Sequence, residues 1–512
     1  MPRLVILPGL TVMACGSLFA QPQATMSASM TLDLLSELAR QRAAQPYDAQ
    51  ARKVPDFLND LGYDQYRDFR FRHERAYWHG ENLPFELEFF HPGYLYQKYL
   101  DMYEIAPDGA VSPIPFSPEY FEYGPQAELI PQLPRQLGFS GFHLWLGSTT
   151  GTPRQDGDEG RVGLFQGASY FRMVSPANEY GLSGRSLAIN TTTADAEEFP
   201  DITAFWFERP APGDDSFAFL AMLEGPSVVG AYRFVWTPGE PIRLAVEARI
   251  VLREQVSELG LAPFSTMFWY GENTARRPAD FRPEVHDSDG LFIQTEDEYI
   301  WRPLSNPVRT RTDNLPGDNL IAFGLQQRDR DYEHYQDIEA DYHLRPDAWV
   351  VPGTGMQEGS LRLLEIAIPH EYADNMALVW VPREMPVVGE VFNFQYDVYF
   401  GERPLPELAA VVATRYGESL RGDGSMEFII DFHGDQLDTL VGNSDLLVLD
   451  IDSDVEGGEF IWQNLRRNPY NDTWRLTLRV LPDDEQNEVR LSAAIFNAGR
   501  QVSETWRYWW MR

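Results

Sequence analysis

Short segments rich in β-branched and aromatic residues, each bounded by Gly, Pro, Asn or Asp, recur through most of this chain and limit its fold more than any other feature. Such segments are typical of strands, and their close succession favours antiparallel sheets packed face to face over βαβ units. Strands are predicted at Phe85–Phe90, Phe142–Trp145, Phe217–Leu223, Ala231–Trp236, Ile242–Val251, Leu361–Ile368, Met376–Val381 and Phe392–Phe400.

The strand pattern is absent near the N-terminus and is interrupted once further along. Leucine and alanine recur at helical spacing in Thr31–Ala44, which predicts a short helix. The proline-bearing stretch Gly401–Leu408 and the polar stretch Thr414–Ser425 break the pattern. Further strand candidates follow at Met426–Phe432, Ser444–Asp450, Trp474–Val480 and Glu488–Asn497. Because 512 residues exceed one hydrophobic core, we predict an all-β protein with a large N-terminal β-sandwich over residues 28–405 and an immunoglobulin-like β-sandwich over residues 418–512.

The N-terminus has the features of a secretory signal. A basic residue precedes the apolar run Leu4–Ala14, and small residues continue to Ala20, which predicts a signal peptide over residues 1–20. A competing interpretation takes Cys15 as the lipidated cysteine of a lipoprotein, which would tether the mature protein to a membrane. Under both interpretations, the protein is exported. Since Cys15 is its only cysteine, no intramolecular disulfide can form.

The charge balance excludes one large class of partner. The chain carries 42 basic and 77 acidic residues, a net charge of −35, and such a field repels phosphate backbones. We therefore expect no nucleic-acid partner. Lys53 and Lys98 are the only lysines, which leaves almost no residue for a Schiff base or a phosphate loop.

Several catalytic and metal-binding motifs are missing from the sequence. It has no Gly-x-Ser-x-Gly elbow, no His-Glu-x-x-His and no cysteine pair, and its histidines show no metal-ligand spacing. Asp450–Asp454 imitates the start of a calcium loop, but Val455 and Ile461 stand where glycine and glutamate are needed, so we predict an acidic turn. No metal and no cofactor are expected.

The residues that remain are carboxylates and aromatics, which suit the binding and cleavage of uncharged sugars. Sugar C–H groups stack on aromatic rings, while sugar hydroxyls bond to carboxylate and guanidinium groups. Trp301 and Trp349 fall beside turn signals, which makes them candidate sugar platforms as well as candidate core residues.

A series of uncommon strings resembles one family, the osmoregulated periplasmic glucan biosynthesis proteins G and D. The strings follow one another in order from about residue 31 to the C-terminus. They are Gln166–Arg172, Tyr180–Ser183, Glu197–Pro200, Trp206–Pro210, Gly230–Phe234, Pro263–Phe268, Arg282–Leu291, Ile300–Leu304, Leu344–Pro346, Ala348–Val350 and Ser503–Trp506.

The resemblance implies a fold, a location and an activity. It implies a mutarotase-like, sugar-binding N-terminal β-sandwich joined to an immunoglobulin-like domain, and a periplasmic role in making β-1,2-linked glucans. Relatives similar to protein D are inverting β-1,2-glucan hydrolases, and other relatives transfer or cyclise the glucan. The chain lacks a twin-arginine signal, which favours protein G, whose activity is less clear.

The resemblance also implies site residues. In the hydrolases the essential pair falls at the aspartates that match Asp287 and Asp374, with Glu371 and Tyr342 lining the same site. We expect Asp374 to be the acid and Asp287 the base, and the reverse order stays open. Four further residues in or beside the matching strings are predicted to bind substrate: His286, Arg345, Trp301 and Trp349.

Two functions from different classes are compatible with this sequence. The first is a β-1,2-glucan hydrolase or transglycosylase, and the second is a non-catalytic glucan-binding factor that assists an inner-membrane glucan synthase. A sugar epimerase or mutarotase is a third alternative, which rests on the fold alone. The oligomeric state stays open, with a homodimer as one alternative.

Overall fold

A computed structural model describes residues 29–147, 160–175, 177–275, 277–434, 437, 449–483 and 488–512. The predicted signal peptide, Cys15 and most of the predicted strand Ser444–Asp450 lie outside the described residues. Within these ranges, no helix is both long enough and apolar enough to cross a membrane.

Helices form a small part of the described chain and lie mostly near its N-terminus. The first helix lies within the predicted segment Thr31–Ala44. It begins after Thr31, whose hydroxyl accepts a hydrogen bond from the backbone N–H of Leu34 at 3.2 Å and so caps the helix. The α-helices are α1 (Leu32–Ala43), α2 (Asp56–Asn59), α3 (Tyr63–Tyr66) and α4 (Tyr332–Tyr335). Short 3₁₀ segments are His73–Arg75, Pro118–Tyr120, Gly124–Gln132 and Tyr342–Leu344.

Strands make up most of the regular structure. Each predicted strand segment in the described ranges overlaps an observed strand, although the predicted Leu361–Ile368 runs three residues past the end of its strand at Glu365. In chain order they are β1 (Arg70–Phe71), β2 (Phe85–Phe90), β3 (Asp101–Ile105), β4 (Val111–Pro113), β5 (Phe121–Glu122), β6 (Gly141–Leu146), β7 (Arg161–Gln166), β8 (Tyr170–Met173), β9 (Ser183–Arg185), β10 (Leu187–Ile189), β11 (Asp201–Glu208), β12 (Phe217–Glu224), β13 (Val228–Thr237), β14 (Ile242–Leu252), β15 (Leu259–Thr266), β16 (Phe268–Tyr270) and β17 (Val285–His286). The later strands are β18 (Gly290–Gln294), β19 (Tyr299–Pro303), β20 (Arg311–Pro316), β21 (Ala322–Gln326), β22 (Asp347–Pro352), β23 (Gly359–Glu365), β24 (Met376–Pro382), β25 (Val391–Gly401), β26 (Ala410–Glu418), β27 (Met426–His433), β28 (Leu449–Glu456), β29 (Gly458–Arg467), β30 (Trp474–Pro482), β31 (Glu488–Asn497), β32 (Arg500–Gln501) and β33 (Thr505–Met511).

Two large sheets enclose the main core. The first sheet has the order β2-β6-β7-β8-β9-β15-β24-β23-β20, and the second runs β28-β31-β33-β19-β18-β21-β22-β25-β14-β13-β12-β11-β3-β4. Alternation along β14 shows how they pack: Ile242, Leu244 and Val246 are buried between the sheets, while Arg243 and Glu247 face outwards. The sequence therefore forms a sandwich because strand alternation gives each sheet one apolar face.

The second sheet continues into the C-terminal part of the chain. β19 pairs in parallel with β33, with Ile300 opposite Thr505 and Trp301 opposite Trp506. A third sheet, β26-β27-β30-β29, covers this end of the second sheet and encloses a second core. The predicted boundary between residues 405 and 418 stays a prediction, because the second sheet spans the two predicted domains.

The all-β prediction is confirmed, with one local correction. Asp450–Asp454, which the sequence predicted as an acidic turn, lies inside strand β28. This strand pairs antiparallel with β31, where Asp452 faces Ala494 and Asp454 faces Ser492. Aspartate is uncommon in strands, but Asp452 and Asp454 both lie on the exposed face of β28, where the carboxylates stay in water.

Candidate functional site

The loop Ile366–Asn375, which joins β23 to β24, carries one of the two predicted catalytic aspartates and is held by two asparagine side chains. Asn375 accepts from the backbone N–H of Phe268 at 2.8 Å and donates to the carbonyl of Phe268 at 3.0 Å. Asn306 accepts from the N–H of Ile368 at 3.0 Å and donates to its carbonyl at 2.8 Å. These paired hydrogen bonds fix the loop to strand β16 and to the segment that carries Asn306.

The two predicted catalytic aspartates lie beside the same end of strand β15. The hydroxyl of Ser265 donates to Asp374 Oδ2 at 2.7 Å, and the backbone N–H of Asp287 donates to the carbonyl of Met267 at 2.8 Å. Ser265 and Met267 are two residues apart, which is about 7 Å at the rise of a strand. Loops distant in sequence thus meet at this strand end, where the charge of Asp374 acts on the Asp287 carboxyl group.

The two carboxyl groups have different surroundings. Asp374 is exposed, whereas Asp287 is buried, with 12 % of its side chain accessible. Burial raises the pKa of Asp287, and the neighbouring charge of Asp374 raises it further. Arg345, whose Nε lies 3.5 Å from Asp287 Oδ1, and Arg172 act in the opposite direction on this pKa. One acid is therefore in water and the other in a partly dry, cation-flanked site.

Glu371 and Tyr342, predicted to line the site, contact each other. The Tyr342 hydroxyl donates to Glu371 Oε2 at 2.8 Å. Arg282 holds the same carboxylate through both of its terminal nitrogens, at 2.8 and 3.1 Å, and also donates to Asp337 at 2.8 Å. Burial and the hydrogen bond to Glu371 raise the pKa of Tyr342, so this phenol stays protonated. The bidentate pair fixes the loop that carries Asp374.

A cavity of about 590 Å³ adjoins the aspartates on the surface of the first sheet. Neither aspartate lines it, but the charge of Asp374 acts on two residues that do, Tyr170 and Arg185. Arg172 stacks near Tyr170 at 5.3 Å and Arg185 does so at 5.7 Å. The polar and aromatic lining residues are Tyr96, Gln97, Lys98, Ser140, Gln166, Tyr170, Arg172, Tyr180, Arg185 and Asp201.

This lining suits an uncharged, hydroxyl-rich ligand. Tyrosine rings offer faces for sugar C–H groups, and guanidinium and amide groups donate to hydroxyls. Burial lowers the pKa of Arg185, whereas the charges of Tyr170 and Asp374 oppose that change. The cavity therefore combines aromatic surface with fixed hydrogen-bond donors.

His286 lies beneath the site rather than on its surface. Its side chain is completely buried, with Nδ1 3.0 Å from Gln327 Oε1 and Nε2 3.1 Å from Glu284 Oε2. Burial lowers the pKa of His286, but the charges of Asp289 and Glu284 outweigh this effect and raise the pKa to about 9. A cationic His286 next to Asp287 can orient that residue, but it is not placed to touch a ligand.

The two predicted tryptophans lie in the second core. Trp301 is 3 % exposed and packs against Arg328, whose guanidinium carbon is 3.5 Å from the ring centroid. Trp349 is 8 % exposed and stacks on Tyr399 at 5.2 Å. We therefore leave Trp301 and Trp349 out of the proposed site, since neither lines the cavity beside the aspartates.

The cavity residues were not singled out in the sequence, although they lie in strings that carried the resemblance. Tyr170 and Arg172 belong to Gln166–Arg172, and Tyr180 begins Tyr180–Ser183. Whether these side chains line the cavity depends on the face of the sheet that they occupy. Strand pairing places Tyr170 opposite Arg185 in the β8–β9 pair, so both side chains lie on the cavity face. The density of tyrosine and arginine in these strings was the available signal.

The fold and the site together define a class of protein: a β-sandwich with a tyrosine- and arginine-lined cavity beside a pair of carboxylates. Residues 30–510 match the family model described as "Periplasmic glucan biosynthesis protein, MdoG". This chain belongs to that family.

Two curated relatives cover the whole chain or nearly so. A "Glucans biosynthesis protein G" from Ralstonia nicotianae is 38 % identical over 504 residues, covering 96 % of this chain and 98 % of that protein. A "Glucans biosynthesis protein G" from Rhodopseudomonas palustris is 38 % identical over 517 residues and covers all of both chains.

A solved structure also aligns with part of the chain. It is a galactose mutarotase related enzyme from Lactobacillus acidophilus, 9 % identical, covering 51 % of this chain and 95 % of that one, with a TM-score of 0.22.

Proposed function

We propose that this protein acts on the β-1,2-linked backbone of periplasmic glucan as an inverting hydrolase or transglycosylase, with Asp374 and Asp287 as its acid and base. The observation that carries the proposal is the meeting of these two aspartates, from separate loops, at one strand end beside the cavity. The charge of Asp374 also acts on the carboxyl group of Asp287, which supports the two acids working as a pair.

In this mechanism, the acid protonates the leaving glycosidic oxygen while the base draws a proton from the attacking water. We assign the acid role to Asp374, whose side chain is exposed to solvent. Asp287 is assigned as base. Burial is the largest effect on its pKa and raises it, while the charges of Arg345 and Arg172 lower it, so the pH profile is the test of this order. Tyr342 and Arg282 act as positioning residues through Glu371.

Incubation of the purified protein with linear β-1,2-glucan tests the proposal. We expect the polymer to shorten while reducing ends appear first as the inverted anomer, measured by size-exclusion chromatography and proton NMR. A transglycosylase would instead redistribute chain lengths at constant reducing-end concentration. A linear β-1,3-glucan of matched length is the control and should stay unchanged. Unchanged length of the β-1,2-glucan would contradict both enzymatic forms.

A glucan-binding factor is the second candidate, and one observation favours it. The cavity lies beside the aspartates rather than over them, so a bound polymer could occupy it without presenting a bond to either acid. Binding of β-1,2-glucan without cleavage, measured by calorimetry, would support this candidate. Association with an inner-membrane glucan synthase, export to the periplasm and homodimer formation stay predictions.

The pH profile tests the order of the acid and base. Removing the Arg345 charge in Arg345→Met should raise the pKa of Asp287, because this guanidinium lowers it in the folded protein. If Asp287 is the base, the acid limb of kcat/KM moves to higher pH, since a base must be deprotonated. Movement of the alkaline limb instead would assign Asp287 as the acid. Arg383→Met, at an exposed surface ion pair, is the control and should leave both limbs in place.

A further inference from the structure

A cluster of two histidines and a glutamate lies on the first sheet, separate from the two aspartates. Ligand atoms of His73, His79 and Glu86 all lie within 4.8 Å of one another. The two imidazole rings are 5.2 Å apart at an angle of 71°, and His79 Nδ1 is 3.0 Å from Glu86 Oε2. We propose that these three side chains bind a divalent transition-metal ion, with Zn²⁺ as the preferred metal.

The donor set and its spacing fit this ion. Zn²⁺ takes imidazole nitrogen and carboxylate oxygen at about 2.0–2.2 Å, so the ligand atoms of a tetrahedral site lie about 3.3 Å apart. The 3.0 Å between His79 Nδ1 and Glu86 Oε2 is close to this ligand-to-ligand distance. The His73 ligand atom lies within 4.8 Å of the other two, so the imidazole would have to rotate to complete the site. Three protein ligands leave a fourth position for water, as in open zinc sites.

A second carboxylate orients the first histidine. His73 Nδ1 lies 2.9 Å from Glu88 Oε1, so the proposed ligand atom of this ring is Nε2. Histidine ligands of metals commonly donate their other nitrogen to a carboxylate in this way. Glu88 is thus a positioning residue, and Glu86 and Glu88 share the outer face of β2, because Phe85, Leu87 and Phe89 point into the main core.

The backbone holds the histidines over this strand. Tyr77 pairs with Leu87 through hydrogen bonds of 2.8 and 3.2 Å, so the turn that follows His73 is folded onto β2. Trp78 adopts the left-handed conformation with φ of 68° and donates its indole N–H to Glu104 at 2.7 Å. The side chains of His73 and His79 remain 39 % and 40 % accessible, which lets an ion reach them from solvent.

The metal cluster lies on the same sheet face as the cavity. Glu88 is directly opposite His143 in the β2–β6 pair, and His143 Nε2 is 3.2 Å from the hydroxyl of Tyr180, which lines the cavity. A bound ion would therefore fix one end of the surface that we propose for glucan. The metal proposal itself does not depend on that function, since the ion is tested without glucan.

Zinc titration of untagged, chelator-stripped protein tests the site. We expect one Zn²⁺ per chain in competition with a chromophoric chelator, and visible Co²⁺ absorption that indicates nitrogen and oxygen ligands. His79→Ala and Glu86→Gln should weaken binding at least about tenfold, and Glu88→Gln by about 10–100-fold, as for other orienting carboxylates.

The matched control is His433→Ala, an exposed histidine on β27, which should bind zinc as the wild type does. Circular dichroism of each variant checks that the fold is intact, and the conservative Glu86→Gln change keeps the test valid if an alanine variant misfolds. Absence of zinc binding in the wild type, or wild-type affinity in the His73→Ala and His79→Ala variants, would overturn the proposal.

Discussion

Replacing Asp374 with Asn is expected to reduce the rate of β-1,2-glucan cleavage by about 10²–10⁴-fold, the usual contribution of a general acid or base. The amide keeps the size of the side chain, and its carbonyl can still accept the hydrogen bond from Ser265. It cannot supply or accept the catalytic proton. The loss should therefore appear in kcat, with glucan affinity retained, as measured by initial reducing-end formation and by calorimetry.

The companion change Asp287→Asn should give a loss of similar size through the other proton transfer. Asp215→Asn, at an exposed surface loop, is the matched control and should cleave glucan at the wild-type rate. Thermal melting of all three variants separates loss of chemistry from loss of fold. Activity within twofold of wild type in either site variant would remove that aspartate from the mechanism.

Strand positions could be predicted from the sequence, because burying one face of a strand makes apolar and polar residues alternate within the strand itself. The predicted Phe85–Phe90 and Ile242–Val251 correspond to β2 and β14 within one residue. Strand order could not be predicted in this way. β3 pairs in parallel with β11, about a hundred residues later, and this pairing depends on the closing of the whole sandwich.

The same distinction applies to the candidate site: some of its residues could be predicted from the sequence, whereas their contacts could not. The resemblance indicated Asp287 and Asp374, but their contacts come from distant residues, such as Ser265, which is 109 positions from Asp374. Turn signals favoured Trp301 as a sugar platform, yet a turn does not determine which face of a sheet a neighbour occupies. The proposed metal ligands could not be predicted from the sequence, because they come from a folded-back turn and a strand and so have no recognisable spacing.

A buried ionic network joins the two large sheets and the C-terminal strand. Arg302 donates to both oxygens of Glu365 at 2.7 Å, and Arg311 donates to the same carboxylate at 2.6 Å. Arg311 also donates to the backbone carbonyl of Trp509 at 2.7 Å. Burial raises the pKa of Glu365, but the two guanidinium groups outweigh this and hold it below the ordinary value. The carboxylate is thus the common acceptor of the network.

We expect Glu365→Gln to lower the free energy of unfolding by about 3–5 kcal/mol, the cost of leaving buried charge without its partner. Both Arg302 and Arg311 lose a charge-assisted acceptor while they remain in the interior, at 1 % and 3 % side-chain exposure. Because the folded pKa of Glu365 is lowered, its stabilisation is present above the unfolded pKa of about 4.3 and is lost as the pH falls through the folded value.

In the Glu365→Gln variant, the free energy of unfolding should therefore lack the pH dependence that Glu365 contributes. Urea unfolding at several pH values, followed by tryptophan fluorescence, measures this. Glu390→Gln, at an exposed position before β25, is the control and should unfold as the wild type does. A loss below about 1 kcal/mol in Glu365→Gln would contradict the prediction, since it would equal that of an exposed ion pair. A large loss of unfolding free energy together with detachment of the C-terminal strand β33 would support the network as the link between the two cores. In this network, Arg311 is the residue that donates to both Glu365 and Trp509.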